Sequence, residues 1–246
     1  MDDLYPMIRK RTSFHVFPES HELTEIELMR IEKHFSELIA LIDDIRIKFK
    51  IVPKTETTCK RGEYCILAYS EKKPNYLQNI GYVVEQLDLW LAGQNIGVCW
   101  YGMGRTKEKV FDNLHFVIML AIAKQDESSF RRDYAQSKRK QIEKLWEGSE
   151  RRSLAEDIRY APSACNSQPW KVVSKESGLE VYRVKGQRSI MPAMVANYFN
   201  QIDIGIFLLF LELSLRHQTI RFKRTLYSEE RGEYPFLTAR YDFFDQ

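Results

Sequence analysis

Two long apolar segments at a constant spacing constrain this chain most. Y-L-Q-N-I from Tyr76 and Y-F-N-Q-I from Tyr198 stand 122 residues apart. At that offset Leu87, Leu89 and Leu91 fall on Leu209, Leu211 and Leu213, and Val98 and Trp100 on Ile220 and Phe222. R-T-S at Arg11–Ser13 is matched by R-R-S at Arg151–Ser153. The order basic-Ser, helix, strands, long helix, strand thus occurs twice, which predicts two tandem, unequal halves. We place them at 1–140 and 141–246, because Gln125 to Lys140 is polar, without apolar periodicity, and reads as a linker or arm.

Local patterns fill in each half. Leu23 to Ile42 reads as a helix with a Thr24/Glu27 capping box and a Leu23/Leu28 staple. Ile45 to Val52 alternates as a half-buried strand, Tyr64 to Tyr69 is a second strand, and the continuous apolar run Phe116 to Ala123 reads as a central one. Tyr76 to Asn95 is a long helix. In the second half Gln141 to Tyr160 reads as helical. Trp170–Ser174 and Leu179–Val184 form a hairpin through Ser177-Gly178, Tyr198–Leu215 is a helix, and Ile220–Leu226 and Leu237–Phe244 are strands.

Charge and cysteine content exclude several classes. Thirty-seven basic and 34 acidic residues leave a net charge of +3, too balanced to argue for a nucleic-acid partner. Cys59, Cys65, Cys99 and Cys165 form no C-x-x-C, and free thiols in a reducing compartment are expected. No metal-ligand spacing occurs among the five histidines. The opening residues carry no signal-peptide pattern, so a cytoplasmic protein is expected. The most apolar stretch, Ile202 to Leu215, is too short to cross a bilayer and contains Asp203 and Glu212, so no membrane partner is expected.

One segment has no counterpart in the first half: A-P-S-A-C-N-S-Q-P-W, Ala161 to Trp170. Pro162 ends the preceding helix and Pro169 delays the following strand. Between them lies a tight turn of small and polar residues, into which a flat polar ligand can approach the backbone.

This decapeptide resembles the signature of the FMN-dependent nitroreductase family. So do R-T-S-F-H-V-F at Arg11–Phe17 and I-G-V-C-W-Y-G-M-G at Ile96–Gly104. The resemblance implies an α+β, three-layer α/β/α fold with a mixed, mainly antiparallel sheet. It implies that Arg11 and Ser13 bind the phosphate or ribitol of FMN, with His15 where the family carries Arg or Lys. Trp100, Tyr101, Gly102 and Met103 would run past the flavin ring, and Lys138, Arg139 and Lys140 would reach the phosphate. Pro162, Ser163, Ala164 and Asn166 would lie against the flavin, in the position that a dimer partner fills in the family. A single chain whose halves mimic the dimer would then be a monomer with one flavin site. The implied activity is hydride transfer from NAD(P)H through FMN to a small electron acceptor such as a nitroaromatic or quinone, with no catalytic protein nucleophile. A flavin carrier or sensor is the alternative. Taken without the resemblance, Trp100 also fits a core aromatic, Lys138 to Lys140 a solvated charge run, and Arg11 with Ser13 a helix cap.

Overall fold

The computed structural model describes residues 4–17, 22–132, 137–186, 193–228 and 234–244. The chain divides into two compact units, Arg9–Tyr134 and Met1–Ile8 with Ala135–Gln246. The division lies six residues before the one read from the linker, and the first eight residues belong with the second unit. Tyr5 shows why. Its ring stacks on His217 at 3.7 Å, and its hydroxyl donates to Asp157 Oδ2 at 2.5 Å.

The helices are α1 (Met7–Lys10), α2 (Glu25–His34), α3 (Tyr76–Gly93), α4 (Ile142–Leu145), α5 (Leu154–Ile158) and α6 (Ala193–His217). The strands of the N-terminal unit are β1 (Ile47–Pro53), β2 (Tyr64–Ser70), β3 (Ile96–Trp100), β4 (Val110–Phe111) and β5 (Leu114–Lys124). Those of the C-terminal unit are β6 (Trp146–Glu147), β7 (Trp170–Lys175), β8 (Gly178–Arg183), β9 (Phe222–Leu226) and β10 (Phe236–Phe243).

The fold is α+β. Each unit has its own five-stranded sheet, ordered β1-β2-β5-β3 with β4 on β5, and β6-β7-β8-β10-β9. Apart from the parallel pair β6–β7, the ladders are antiparallel. In both units a hairpin is followed by the long helix and further strands, the last of which inserts between the hairpin and the first strand after the helix. β5, read from its unbroken apolar run, is the central strand of its sheet, as burial of both faces demands.

Two helices are shorter than their periodicity predicts. The Thr24/Glu27 capping box is present and starts α2. The helix ends at His34 with a 3-10 turn Phe35–Glu37, not at Ile42. Buried amides on α3 capture the next backbone donors: Gln86 Oε1 accepts from Ile39 N–H, and Asn79 Oδ1 accepts from those of Leu41 and Ile42. A chain bound that way cannot also close helical hydrogen bonds. Replacing Thr24 with Ala removes the reciprocal cap, and chemical denaturation is expected to show a loss of about 1 kcal/mol.

The span Gln141–Tyr160 is likewise not one helix. It breaks into α4 and α5, because Trp146 and Glu147 leave helical geometry to pair in parallel with Val172 and Val173. Gly148, at φ +94°, makes the turn, and a Cβ there would lie 2.5 Å from Ser174 Oγ.

The core of the C-terminal unit is α6. At 25 residues it is longer than the apolar stretch read from the sequence and is long and apolar enough to cross a membrane. Burial decides its role: 89% of its most apolar window lies inside the protein. Both acids within it are partnered. Glu212 accepts from Arg224 and from the Tyr241 hydroxyl, and Asp203 serves the turn described next.

Candidate functional site

In the C-terminal unit, α5 runs out at Ile158 and the chain enters the Ala161–Trp170 turn. Cys165, Asn166 and Gln168 take left-handed backbone angles, φ 50°, 56° and 46°. Such conformations cost free energy in residues with a Cβ and persist only where surroundings over-determine them. The surroundings are hydrogen bonds. Asn166 N–H donates to Ser163 O at 2.9 Å, and Gln168 N–H to Ser163 Oγ at 3.0 Å. From α6, Asp203 Oδ1 accepts from Ala164 N–H at 2.9 Å and Oδ2 from the Ser167 hydroxyl at 3.2 Å. Asn200 Oδ1 takes the same hydroxyl at 3.0 Å. Burial raises the Asp203 carboxyl to about 7, against the opposing pull of the Ala164 and Ser167 donors.

The turn and the basic run are stitched together. Arg139 Nη1 donates to Asn166 Oδ1 at 3.0 Å, and Asn166 Nδ2 donates back to Lys138 O at 3.0 Å. Arg139 Nη2 reaches Tyr160 O at 3.2 Å. Lys140 donates twice to Gln168, from its N–H to Oε1 and from Nζ to the backbone oxygen, both at 2.7 Å. Burial, and then Lys144, pull the Lys140 ammonium below the ordinary lysine value. Among the described residues no carboxylate pairs with Lys140.

The structure therefore brings together six of the residues singled out in the sequence: Lys138, Arg139, Lys140, Ser163, Ala164 and Asn166. Pro162 is buried at the entrance of the same turn. The Asn166 amide is used differently from the way the resemblance suggests. Its oxygen accepts from Arg139 and from Gln168 Nε2, so it holds the turn on the basic run and offers outward only one N–H. Gln168, Asp203 and Asn200 were missed. Asp203 left a signal: an acid in the middle of an apolar helix is buried only for a partner.

The N-terminal unit gathers its own candidates in two groups. Ser13 bridges to Val98, which brings Arg11 to α3. Arg11 is 2% exposed. Its Nε donates to Asp88 Oδ2 at 2.8 Å and lies 3.3 Å from Glu85 Oε1, while Nη2 donates to Ser13 Oγ at 3.1 Å. Trp100 Nε1 donates to the same Asp88 oxygen at 2.8 Å. Asp88 and Glu85 raise the Arg11 guanidinium above its usual value despite burial. Burial, relieved in part by Arg11, pushes the Glu85 carboxyl well above the ordinary carboxylate range. A phosphate at Arg11 would compete with Asp88.

The second group centres on Arg61. Its Nη1 meets His15 Nδ1 at 2.8 Å and Cys99 Sγ at 3.0 Å, and the guanidinium lies over the Tyr101 ring at 5.7 Å. Gly102 is half-buried and Met103 is exposed in the turn closed by Gly104 N–H to Tyr101 O.

A family model described as "Putative TM nitroreductase" matches residues 3–215. The chain belongs to this nitroreductase family. Such membership points to an oxidoreductase, and the family generally uses flavin cofactors. Its fold is similar to the crystal structure titled a "putative nitroreductase" of Thermotoga maritima, with a TM-score of 0.62 and 21% identity over 98% of this chain and 92% of that one. A nitroreductase family protein from Clostridium novyi NT matches at a TM-score of 0.41 and 19% identity, over 51% of this chain and 86% of that one. None of the curated proteins is similar to the chain.

Proposed function

We propose that the protein is an FMN-dependent NAD(P)H oxidoreductase of nitroreductase type, acting as a monomer with one flavin per chain. The observation that carries this reading is the cationic run Lys138–Lys140 tied to the decapeptide turn, with Lys140 lacking an acidic partner among the described residues. That donor set fits a dianionic phosphate: ammonium groups supply charge and a guanidinium supplies directed N–H bonds. Ser163 and the outward N–H of Asn166 offer hydrogen bonds to a polar ring edge, and Ala164 offers small apolar surface. The resemblance further implies cofactor-binding roles for Arg11, Ser13, His15 and Trp100 to Met103. When bound, FMN would supply hydride acceptance from NADH or NADPH and hydride delivery to a nitroaromatic, quinone or similar acceptor. The protein's part is to hold the ring and phosphate and to keep the turn rigid through Asp203.

The test is the visible absorption spectrum during titration with FMN, followed by NADH or NADPH without oxygen. Flavin bands should saturate near one FMN per chain and then bleach. Lys140→Met should weaken FMN binding about tenfold or more, the usual scale for a lost charge-assisted hydrogen bond. Bands that saturate without bleaching by either nucleotide would favour a flavin carrier or sensor, and absence of binding would overturn both readings.

A further inference from the structure

The N-terminal unit holds three thiols under one loop. Cys65 on β2 and Cys99 on β3 both face Ala121 of the intervening β5, so they share a rung of the sheet. Two strand spacings separate them, about 10 Å between Cα atoms, which is too far for a disulfide. The loop from Lys54 to Glu63 folds Cys59 onto this rung, and all three cysteines lie in one apolar cluster with Leu67, Tyr69 and Met119. Cys59 goes to Cys65. The two share that cluster, and each is the strongest influence on the other's thiol. The Thr57 hydroxyl touches both residues, at 3.0 Å from Cys59 N and 3.5 Å from Cys65 Sγ. The same loop sends Arg61 to Cys99 Sγ at 3.0 Å.

We propose that Cys59 and Cys65 are a redox-active dithiol that hydrogen peroxide converts to an intrachain disulfide. Cys59 is the attacking sulfur. The neighbouring Cys65 lowers the Cys59 pKa most, and the Arg61 N–H, at 3.4 Å from Cys59 Sγ, adds to that. Cys65 moves the opposite way, raised by Cys59 and by burial, and stays a thiol. The Cys59 thiolate attacks one peroxide oxygen, forming an S–O bond and breaking O–O. The leaving hydroxide takes a proton and departs as water. The Cys65 sulfur then attacks the Cys59 sulfur, S–S forms, S–O breaks, and the hydroxyl leaves with the Cys65 proton as a second water. The two sulfurs lose two electrons in total, and peroxide is reduced to two waters.

Burial sets the selectivity. Cys59 and Cys65 are 4% and 0% exposed, so a small oxidant suits them and a bulky aromatic disulfide reagent does not. Cys165 is the exposed thiol and the one such a reagent would find.

The experiment uses the full chain carrying Cys165→Ser. It is treated with hydrogen peroxide, then unfolded and alkylated with N-ethylmaleimide. The expected result is one alkyl group per chain, on Cys99, in place of three before oxidation. Tryptic digestion should yield Thr55–Lys60 linked to Gly62–Lys72, released by dithiothreitol. Cys59→Ser should abolish the link, and Cys65→Ser should leave Cys59 as a sulfenic acid trapped by dimedone. Three alkylated cysteines after peroxide, or a link through Cys99, would overturn the proposal. None of these readouts needs flavin, so the outcome is independent of the proposed oxidoreductase activity.

Discussion

Arg11→Ala is expected to lower the unfolding free energy by about 3–5 kcal/mol, measured by urea denaturation at neutral pH. The guanidinium is buried against Asp88, which also accepts from Trp100 Nε1, with Glu85 beside it. Removing the cation leaves the buried Asp88 without its ion-pair partner, and breaking a buried pair from one side costs on that scale. The two acids should respond unequally. Burial pushes the Glu85 carboxyl well above the ordinary carboxylate range, so Glu85→Gln is the milder change and should shift stability by less than about 1 kcal/mol. Asp88→Asn removes the charge that Arg11 faces and should cost several times as much. Equal losses from the two acids, or a near-neutral Arg11→Ala, would mean that the charge distribution is wrong. The prediction also separates stability from binding. A loss of FMN affinity in Arg11→Ala counts toward a phosphate contact only if the variant is folded at the temperature of the titration.

Asp203 should make stability fall as pH rises from about 4 to about 7. Its folded value stands near 7 and its ordinary value at 3.8. Between those limits the folded chain keeps a proton that the unfolded chain has released. The stabilisation is complete below the lower limit, declines across the window and is gone above the upper one. About two pH units of the window lie between pH 5 and 7, at about 1.4 kcal/mol each, so this carboxyl contributes about 2–3 kcal/mol over that interval. Asp203→Asn keeps an oxygen for the Ala164 N–H and cannot titrate. The stability of the native protein relative to Asp203→Asn should therefore drop by that amount from pH 5 to pH 8, and a constant difference would refute the assignment. Because Asp203 holds Ala164 and Ser167, its ionisation acts on the same turn that the proposed function assigns to flavin.

Much of this was legible in the chain itself. The capping box at Thr24 and Glu27, the central strand β5, the hairpin β7–β8 and the two long helices are local or periodic signals, and local signals survive folding. The decapeptide was recognisable because two prolines bound a run of small and polar residues that no core requires. The ends of α2 and the break between α4 and α5 were not legible. Each is decided by a partner distant in sequence, Gln86 and Asn79 for the first and Val172 with Ser174 for the second.

The sequence by itself determined the class of fold, the family and the turn where a cofactor is proposed, because periodicity and turn chemistry are written in neighbouring residues. Only the tertiary structure decided what the charged groups and thiols do. Arg11 is seated against a carboxylate of α3, and Asn166 binds a basic run 27 residues away. Asp203 reaches from the core helix to the turn, and Cys59 is folded into one cluster with Cys65 and Cys99. The strength of a charge or a thiol depends on burial and on the nearest opposite partner. Both are properties of the folded chain, and no spacing along the sequence states them.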